Sequence, residues 1–514
     1  MEGRKEGGGK KAHLFFLLLC PHHLHTLSSS LLCRSFHYSF LILPTPLTHP
    51  SSLLSSGHTR TAMSTPASTS DKPTVLIVGA GLGGLLLGAL LEKSNVPYAI
   101  FERSSTLKPL GSAMAVGPTL LPIFQQLGIY EEFLTLGKYL THIPGYGESN
   151  EILYPKRPTD FRPIEEFTGY GQYIVARPKL YELLYKQVPA HKIHLGKRVL
   201  ITKQTPDNQR VTIQTADNSV YEGDILVGAD GAYSAVRQRM YEALLKEGRL
   251  PKGDQEELPF SCTCLVGQTR VLDAGEVPSV AEERCQVVSV LSDGRPFTWA
   301  YFTTAQNTLI WSVVHQLDKT TSKAALEQRF RNNENSEWGA IPAQTMCEET
   351  KDFPIPSLTG EVDENGVVKM GKMGDIYALT PKEYVSKVMR EEKVFETWYD
   401  GRVVLLGDAC HKLSPSGGHE YRKERYPAVM ESYNNSRFVA KVSDRGIIGR
   451  IVLYLITHMP MWLWRLALKK TIKHRPQVGF LEAVGLMGSV PPVVSLSEQN
   501  ARAEFERRQR AVPL

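Results

Sequence analysis

TVLIVGAGLGGLLLGALLEKSNVPYAIFER, Thr74 to Arg103, is the stretch that decides how the chain folds. TVLIV is an apolar, β-branched run suited to a buried parallel strand. Gly79, Gly81 and Gly84 follow in G-x-G-x-x-G spacing. In that spacing the first glycine permits a tight turn, the second lets backbone approach a pyrophosphate, and the third lets helix pack closely on strand. A helix over roughly 83–94 would aim its N-terminal amides at the phosphate. A second strand, PYAIFE, ends at Glu102, 18 residues past Gly84. A carboxylate there can accept hydrogen bonds from both ribose hydroxyls. The spacing alone does not choose between NAD and FAD.

Two further stretches repeat the pattern of strand, acid and glycine. In GDILVGADGAYSAVRQRM (223–240) an apolar strand ends at Asp230-Gly231, and Ser234 and Arg237 open a helix. In GRVVLLGDACH (401–411) a strand ends at Gly407-Asp408, where an acid can hold a polyol chain. Ligands of open parallel sheets bind at such carboxyl ends.

Together these stretches resemble the class A FAD-dependent monooxygenases, a family of aromatic-ring hydroxylases, zeaxanthin epoxidase-like enzymes and fungal epoxidases. GAGLGG with Glu102 and its neighbour Arg103 is similar to the family's ADP-binding fingerprint. GADGAYSAVR is similar to its second motif, which serves FAD and NAD(P)H. GDACHKLSPSGG is similar to its third, so Gly407, Asp408, Pro415, Gly417 and Gly418 join the candidate set. RPKLYELL resembles an R-x-x-L-x-x-x-L helix, making Arg177 a candidate cofactor contact, and Gly111 stands where the family brings backbone close to the flavin. The resemblance runs from about Val75 to about Arg437.

It implies an α/β fold: a Rossmann-like FAD-binding domain, an inserted antiparallel β-sheet substrate domain, and a helical C-terminal tail. The expected division is 1–72 disordered or presequence, 73–254 FAD-binding with part of the substrate domain, and 255–398 substrate sheet. Residues 399–430 would carry the third, truncated motif, and 431–514 the tail. The implied activity is hydroxylation or epoxidation of a small apolar or aromatic organic molecule with O2 and NAD(P)H. The cofactor carries the difficult chemistry in such an enzyme, so no signature of catalytic residues is expected. None is found; His411 reads as a cap or packing residue more readily than as a base, and Cys410 as a small buried residue. A flavin-dependent reductase, or an impaired membrane-attached remnant, are the alternative functions.

The third motif also raises a question. In the family a helix follows its glycines. Here Gly417-Gly418 run directly into HEYRKERYPAV, which resembles a later segment. A deletion after Gly418 on the order of thirty residues, a helix and its connections, is inferred.

Between 255 and 400, FSCTCLVGQTRV, CQVVSVLSD, FTWAYFTT and TLIWSVVHQ read as strands. Trp299, Tyr301, Phe302 and Trp311 lie on them as candidates for an apolar pocket, though such aromatics are more often core. AALEQRFRNNENSEWGA reads as a helix with its exit loop, and MGDIYALTPKEYVSKVMREEK as a loop and a helix.

Composition is that of a globular protein of 514 residues, 42% hydrophobic and 22% charged. Net charge is +6, but 16 Lys and Arg stand against 8 Asp and Glu from Glu420 onward, leaving about −2 for the rest. That basic tail fits a lipid surface better than nucleic acid, for which there is no motif. Seven scattered cysteines have neither CxxC spacing nor a disulfide framework, so reduced thiols, an intracellular setting and no metal are expected. No acidic residue occurs between Glu6 and Asp71. A signal peptide, a mitochondrial or other organellar presequence, and a gene model extended upstream of Met63 are three readings of that segment. GIIGRIVLYLITHMPMWLWRLALKKTIKHRP, from Gly446, reads as an interfacial membrane helix, a buried helix pair or a span; Arg450 and Pro460 disfavour the last. The protein would then be cytosolic or membrane-associated.

Overall fold

The computed structural model describes residues 74–511 apart from 107–111, 155–159, 293, 318–339, 365, 367–368, 413–429, 431–450, 452–453, 456–457 and 486. The architecture is mixed α/β. The opening strand β1 (Val75–Val78), the helix α1 (Leu82–Lys93) and the strand β2 (Tyr98–Phe101) form the expected βαβ unit. All four residues of β1 are buried, because both faces of a parallel sheet are covered by other elements. The helix starts at Leu82, after Gly81 in extended conformation, and ends at Lys93.

Around this unit a six-stranded sheet runs in the order Tyr399–Asp400, Val403–Leu405, Ile225–Gly228, β1, β2, Ile193–His194. Every neighbouring pair is parallel except the first, where a tight return leaves Tyr399–Asp400 antiparallel. The core against it draws Leu85, Leu86 and Leu90 from α1 and Leu180, Leu183 and Leu184 from the helix Arg177–Tyr185.

A second sheet has seven strands in the order Ser386–Glu391, Phe260–Gln268, Leu309–Gln316, Phe297–Thr303, Val287–Leu291, Gly145–Tyr146, Ile152–Tyr154. Its central pairs are antiparallel, so successive side chains alternate between two faces. Trp299, Tyr301 and Trp311 all point to one face, into a core completed by Met346 and Ile376 from the helices Ala340–Thr350 and Met373–Ala378. All four aromatics are core, and Phe302 lies on the opposite face, in a second buried cluster with Ala115, Ile174 and Ala300. The alternation Trp299, Tyr301 against Ala300, Phe302 produces that split.

MGDIYALTPKEYVSKVMREEK departs from its sequence reading at both ends: the expected loop opens with the helix Met373–Ala378, and the expected helix is a strand, Ser386–Glu391, paired antiparallel with Phe260–Gln268 along the sheet edge. Edge pairing with a long neighbour supplies backbone hydrogen bonds that the local helix propensity of KVMREE does not outweigh. The helix expected within 324–340 falls almost entirely outside the described residues.

In the tail, the helix Met461–Thr471 buries Trp464 and Leu468 against Phe161, Ile164 and Phe167. Arg465 pairs with Glu166. Gln126 binds the following segment three times, donating to the Val478 carbonyl at 3.1 Å and the Glu482 carbonyl at 2.9 Å and accepting from the Val478 amide at 2.7 Å. No helix among the described residues is long and apolar enough to cross a membrane.

Candidate functional site

The sheet order places β2, β1, Ile225–Gly228 and Val403–Leu405 side by side and parallel. Their carboxyl ends therefore bring Glu102, Gly79 to Gly81, Asp230-Gly231 and Gly407-Asp408 to one edge. The three stretches are sewn together by backbone: Gly79 N–H donates to the Phe101 carbonyl, Ala229 N–H to Val78, and Leu406 N–H to Gly228, each at 2.8 Å.

The glycines divide into two kinds. Gly79 has φ +106°, and a Cβ on it would lie 2.5 Å from the Ala229 carbonyl oxygen. A Cβ on Gly84 would lie 2.0 Å from the Gly79 oxygen. Both are demanded by close approach of protein to protein. Gly81, Gly231 and Gly407 are different: a Cβ on any of them would meet nothing within 4 Å. They face open space, with Gly81 directly at the N-terminus of α1. A backbone cradle that protein does not fill fits the phosphates of a dinucleotide.

Glu102 is aimed by two backbone amides: Ala80 N–H donates to Oε2 and Ser104 N–H to Oε1, each at 2.9 Å. Its neighbour Arg103 is exposed. Asp230 caps the helix Ala235–Lys246, accepting at Oδ2 from Ala235 N–H (2.7 Å) and Val236 N–H (3.3 Å). Its other oxygen, Oδ1, is out of solvent with no hydrogen-bond partner among the described residues. Burial raises the Asp230 carboxyl above its ordinary value of 3.8, against the opposing hydrogen bond from Ser234. An orphaned acceptor beside that cradle fits a hydroxyl-bearing cofactor such as FAD. Asp408 is exposed on the turn Gly407–Ala409. Arg177 is exposed at the start of its helix, its amide donating to the Ser112 carbonyl at 2.8 Å. Gly111, Pro415, Gly417 and Gly418 lie outside the described residues, as does the junction after Gly418.

His411 is buried, its ring 5.1 Å from that of Trp398 at 63°, a packing arrangement. Cys410 is buried, and no disulfide joins the described cysteines. Among the described residues no group of His, Cys, Asp and Glu could hold a metal.

Several supporting contacts were not read from the sequence. Arg237 is buried and spans two loops: Nη1 donates to the Ala409 carbonyl at 2.7 Å and Nη2 to the Ala232 carbonyl at 2.6 Å. Its guanidinium sits 4.1 Å from the centre of the Phe395 ring, and burial lowers its pKa. Asp254 is buried and accepts from the Glu396 and Thr397 amides at 2.7 and 2.8 Å, holding the approach to the third stretch. Tyr233 donates to Glu391, tying the loop after Asp230 to the edge strand of the second sheet. The signal for Arg237 was present in VR after the second glycine loop. Asp254 and Glu391 carry no local signal, since their partners are 142 and 158 residues away.

Comparison with known proteins agrees with this geometry. The family described as FAD binding domain matches residues 72–251. The FAD-dependent monooxygenase ausM of Emericella nidulans is 30% identical over 371 residues, covering 68% of each chain. The FAD-dependent monooxygenase ptmM of Penicillium ochrochloron is 27% identical, over 74% of this chain and 92% of that one. The solved structure of CtdE in complex with FAD aligns with a TM-score of 0.49 and 13% identity, over 86% of this chain and 100% of that one. The sequence relationship and the carboxyl-end site together place this chain in the family of FAD-dependent monooxygenases, as an enzyme.

Proposed function

We propose that the enzyme uses NAD(P)H and O2 to hydroxylate or epoxidise a small apolar or aromatic organic substrate. The observation that carries this reading is the hydrogen bond from Tyr233 to Glu391, which sets the nucleotide edge against the seven-stranded sheet. A reactive group held at that edge would lie beside that sheet. Bound FAD supplies the oxygen chemistry. The chain's own residues bind and orient. Gly81 and the N-terminus of α1 take the phosphates. Glu102 holds a ribose, Asp230 and Asp408 take hydroxyls, and Arg103 and Arg177 add positive charge. Gly111, Pro415, Gly417 and Gly418 complete the site in this reading. NADPH or NADH oxidation and O2 uptake, followed together across a panel of apolar substrates, test this reading. Oxygen uptake coupled to substrate is expected, whereas anaerobic NAD(P)H oxidation coupled to substrate reduction would move the enzyme to the reductases.

The direct run from Gly418 into HEYRKERYPAV supports a second point. A missing helix N-terminus at the flavin would weaken FAD retention. The visible spectrum of the purified chain tests this, and a full complement of tightly bound flavin would refute it. Peripheral membrane contact through the tail is supported by Trp462 and Leu466, 68% and 56% exposed on the helix Met461–Thr471 beside Lys469 and Lys473. Co-sedimentation of the full chain with anionic liposomes, compared with a Trp462→Ser, Leu466→Ser variant, is the check; equal pelleting of both removes the contact.

A further inference from the structure

The helix Met461–Thr471 carries two apolar faces. Trp464 and Leu468, one turn apart, are buried in the cluster that holds Phe161, Ile164 and Phe167. Trp462 and Leu466 are also one turn apart, and both are exposed. Positions two residues apart on a helix lie on nearly opposite sides, so the second pair points away from the protein. A surface helix needs one apolar stripe to dock. This one presents another stripe to solvent, flanked by Lys469.

The docked face is held incompletely. The Trp464 indole Nε1 is out of solvent and has no hydrogen-bond partner among the described residues. A buried indole N–H ordinarily finds an acceptor, and leaving it without one disfavours the docked state. The remaining ties lie at the surface. Arg465 pairs with Glu166, and its guanidinium sits 4.8 Å from the centre of the Phe167 ring. The Lys469 ammonium sits 4.9 Å from the same ring. An anionic bilayer offers each of these groups a partner. Phosphate oxygens compete with Glu166 and Phe167 for the two cations. The interface takes the exposed apolar stripe and gives the indole N–H an acceptor.

We propose that the helix Met461–Thr471 is a releasable cap: on an anionic lipid surface it leaves the helix Arg162–Thr168 and lies in the bilayer interface, with Trp462 and Leu466 entering first and Trp464 and Leu468 following. The proposal rests on the peripheral contact argued above and goes beyond it, because contact alone leaves the inner face docked. Glu166 and Phe167 latch the closed form. Release uncovers Phe161, Ile164 and Phe167, and with them one side of the buried cluster to which Phe302 of the second sheet belongs. The protein is then closed in water and open on lipid.

Hydrogen exchange of the full chain, read by mass spectrometry over Arg162–Thr168, tests this with phosphatidylcholine vesicles that contain or lack phosphatidylserine. Pelleting of the same mixtures reports contact. With phosphatidylserine the chain should pellet and exchange over Arg162–Thr168 should quicken, while exchange over Val75–Val78 stays as it was in water. Vesicles of phosphatidylcholine alone should leave both segments unchanged. Glu166→Gln removes the surface latch without touching the core, and should reach the same exchange at about two- to fivefold less lipid. The Trp462→Ser, Leu466→Ser variant should stay closed at every lipid concentration. Pelleting with unchanged exchange over Arg162–Thr168 overturns the release and leaves the contact standing. No pelleting removes both. Faster exchange in Val75–Val78 as well would mean general unfolding, and an unaltered lipid requirement in Glu166→Gln would mean that no latch exists; either result overturns the proposal.

Discussion

Arg237 holds two loops at once, and its loss should be felt in both. Its guanidinium satisfies the Ala409 and Ala232 carbonyls in a buried setting. Arg237→Met keeps the volume but leaves both acceptors without a donor, for an expected loss of about 3 kcal/mol. Arg237→Lys should recover less than half of that, because one ammonium cannot reproduce the planar fork. Urea unfolding of the three proteins gives the comparison. Asp230 makes a prediction in pH. Burial raises its folded-state pKa above the ordinary 3.8, so folding disfavours its charged form. The stability it contributes is therefore present below 3.8 and lost as pH rises through the raised folded value. Asp230→Asn retains an oxygen for the helix amides and carries no charge. Its stability relative to the unmodified protein should increase with pH across that window and then level off. A difference that is flat in pH would show that Asp230 does not titrate there.

At the scale of elements, the turn from β1 into α1 separates glycines held by close protein contact from a glycine that faces open space. Gly84→Ala drives a methyl into the Gly79 carbonyl, at 2.0 Å, and should lower the melting temperature of the FAD-free chain or prevent folding. Gly81→Ala meets open space. That variant should melt within a degree or two of the parent while losing about tenfold or more in FAD affinity, measured by quenching of flavin fluorescence. Two equally unstable variants would mean that the space before Gly81 is structural. The edge strand Ser386–Glu391 shows the other side of element reading. Its residues suit either a helix or a strand, and the choice is made by Phe260–Gln268 lying alongside.

For the molecule as a whole, the tail is part of the fold. Trp464 and Leu468 are buried against the helix Arg162–Thr168, and Gln126 grips Val478 from both sides. Trp464→Ala should cost about 3–4 kcal/mol in unfolding free energy. Trp462→Ala, two residues away and 68% exposed, should cost less than about 0.5 kcal/mol. Equal effects would mean that the helix does not dock through that face.

The βαβ unit, the acid 18 residues beyond Gly84 and the strand–acid–glycine turns at Asp230 and Asp408 were legible in the chain alone. A phosphate cradle imposes its requirements within a few consecutive residues, so its spacing survives as a local pattern. The four strands of the insert were legible for the same reason, since alternation is local. Which face of those strands meets the core is not local. Trp299 and Phe302 look alike in sequence, and only the elements packed on either side of the sheet assign them to two different buried clusters. The bond from Arg237 to Ala409 spans 172 residues and that from Tyr233 to Glu391 spans 158, so no window of sequence contains both partners. Sequence by itself determined the fold class and set the acid-and-glycine turns at the ends of the parallel strands. The tertiary structure alone decided how those turns are braced and which face of the second sheet each aromatic enters, because those depend on contacts between segments that neighbour one another only after folding.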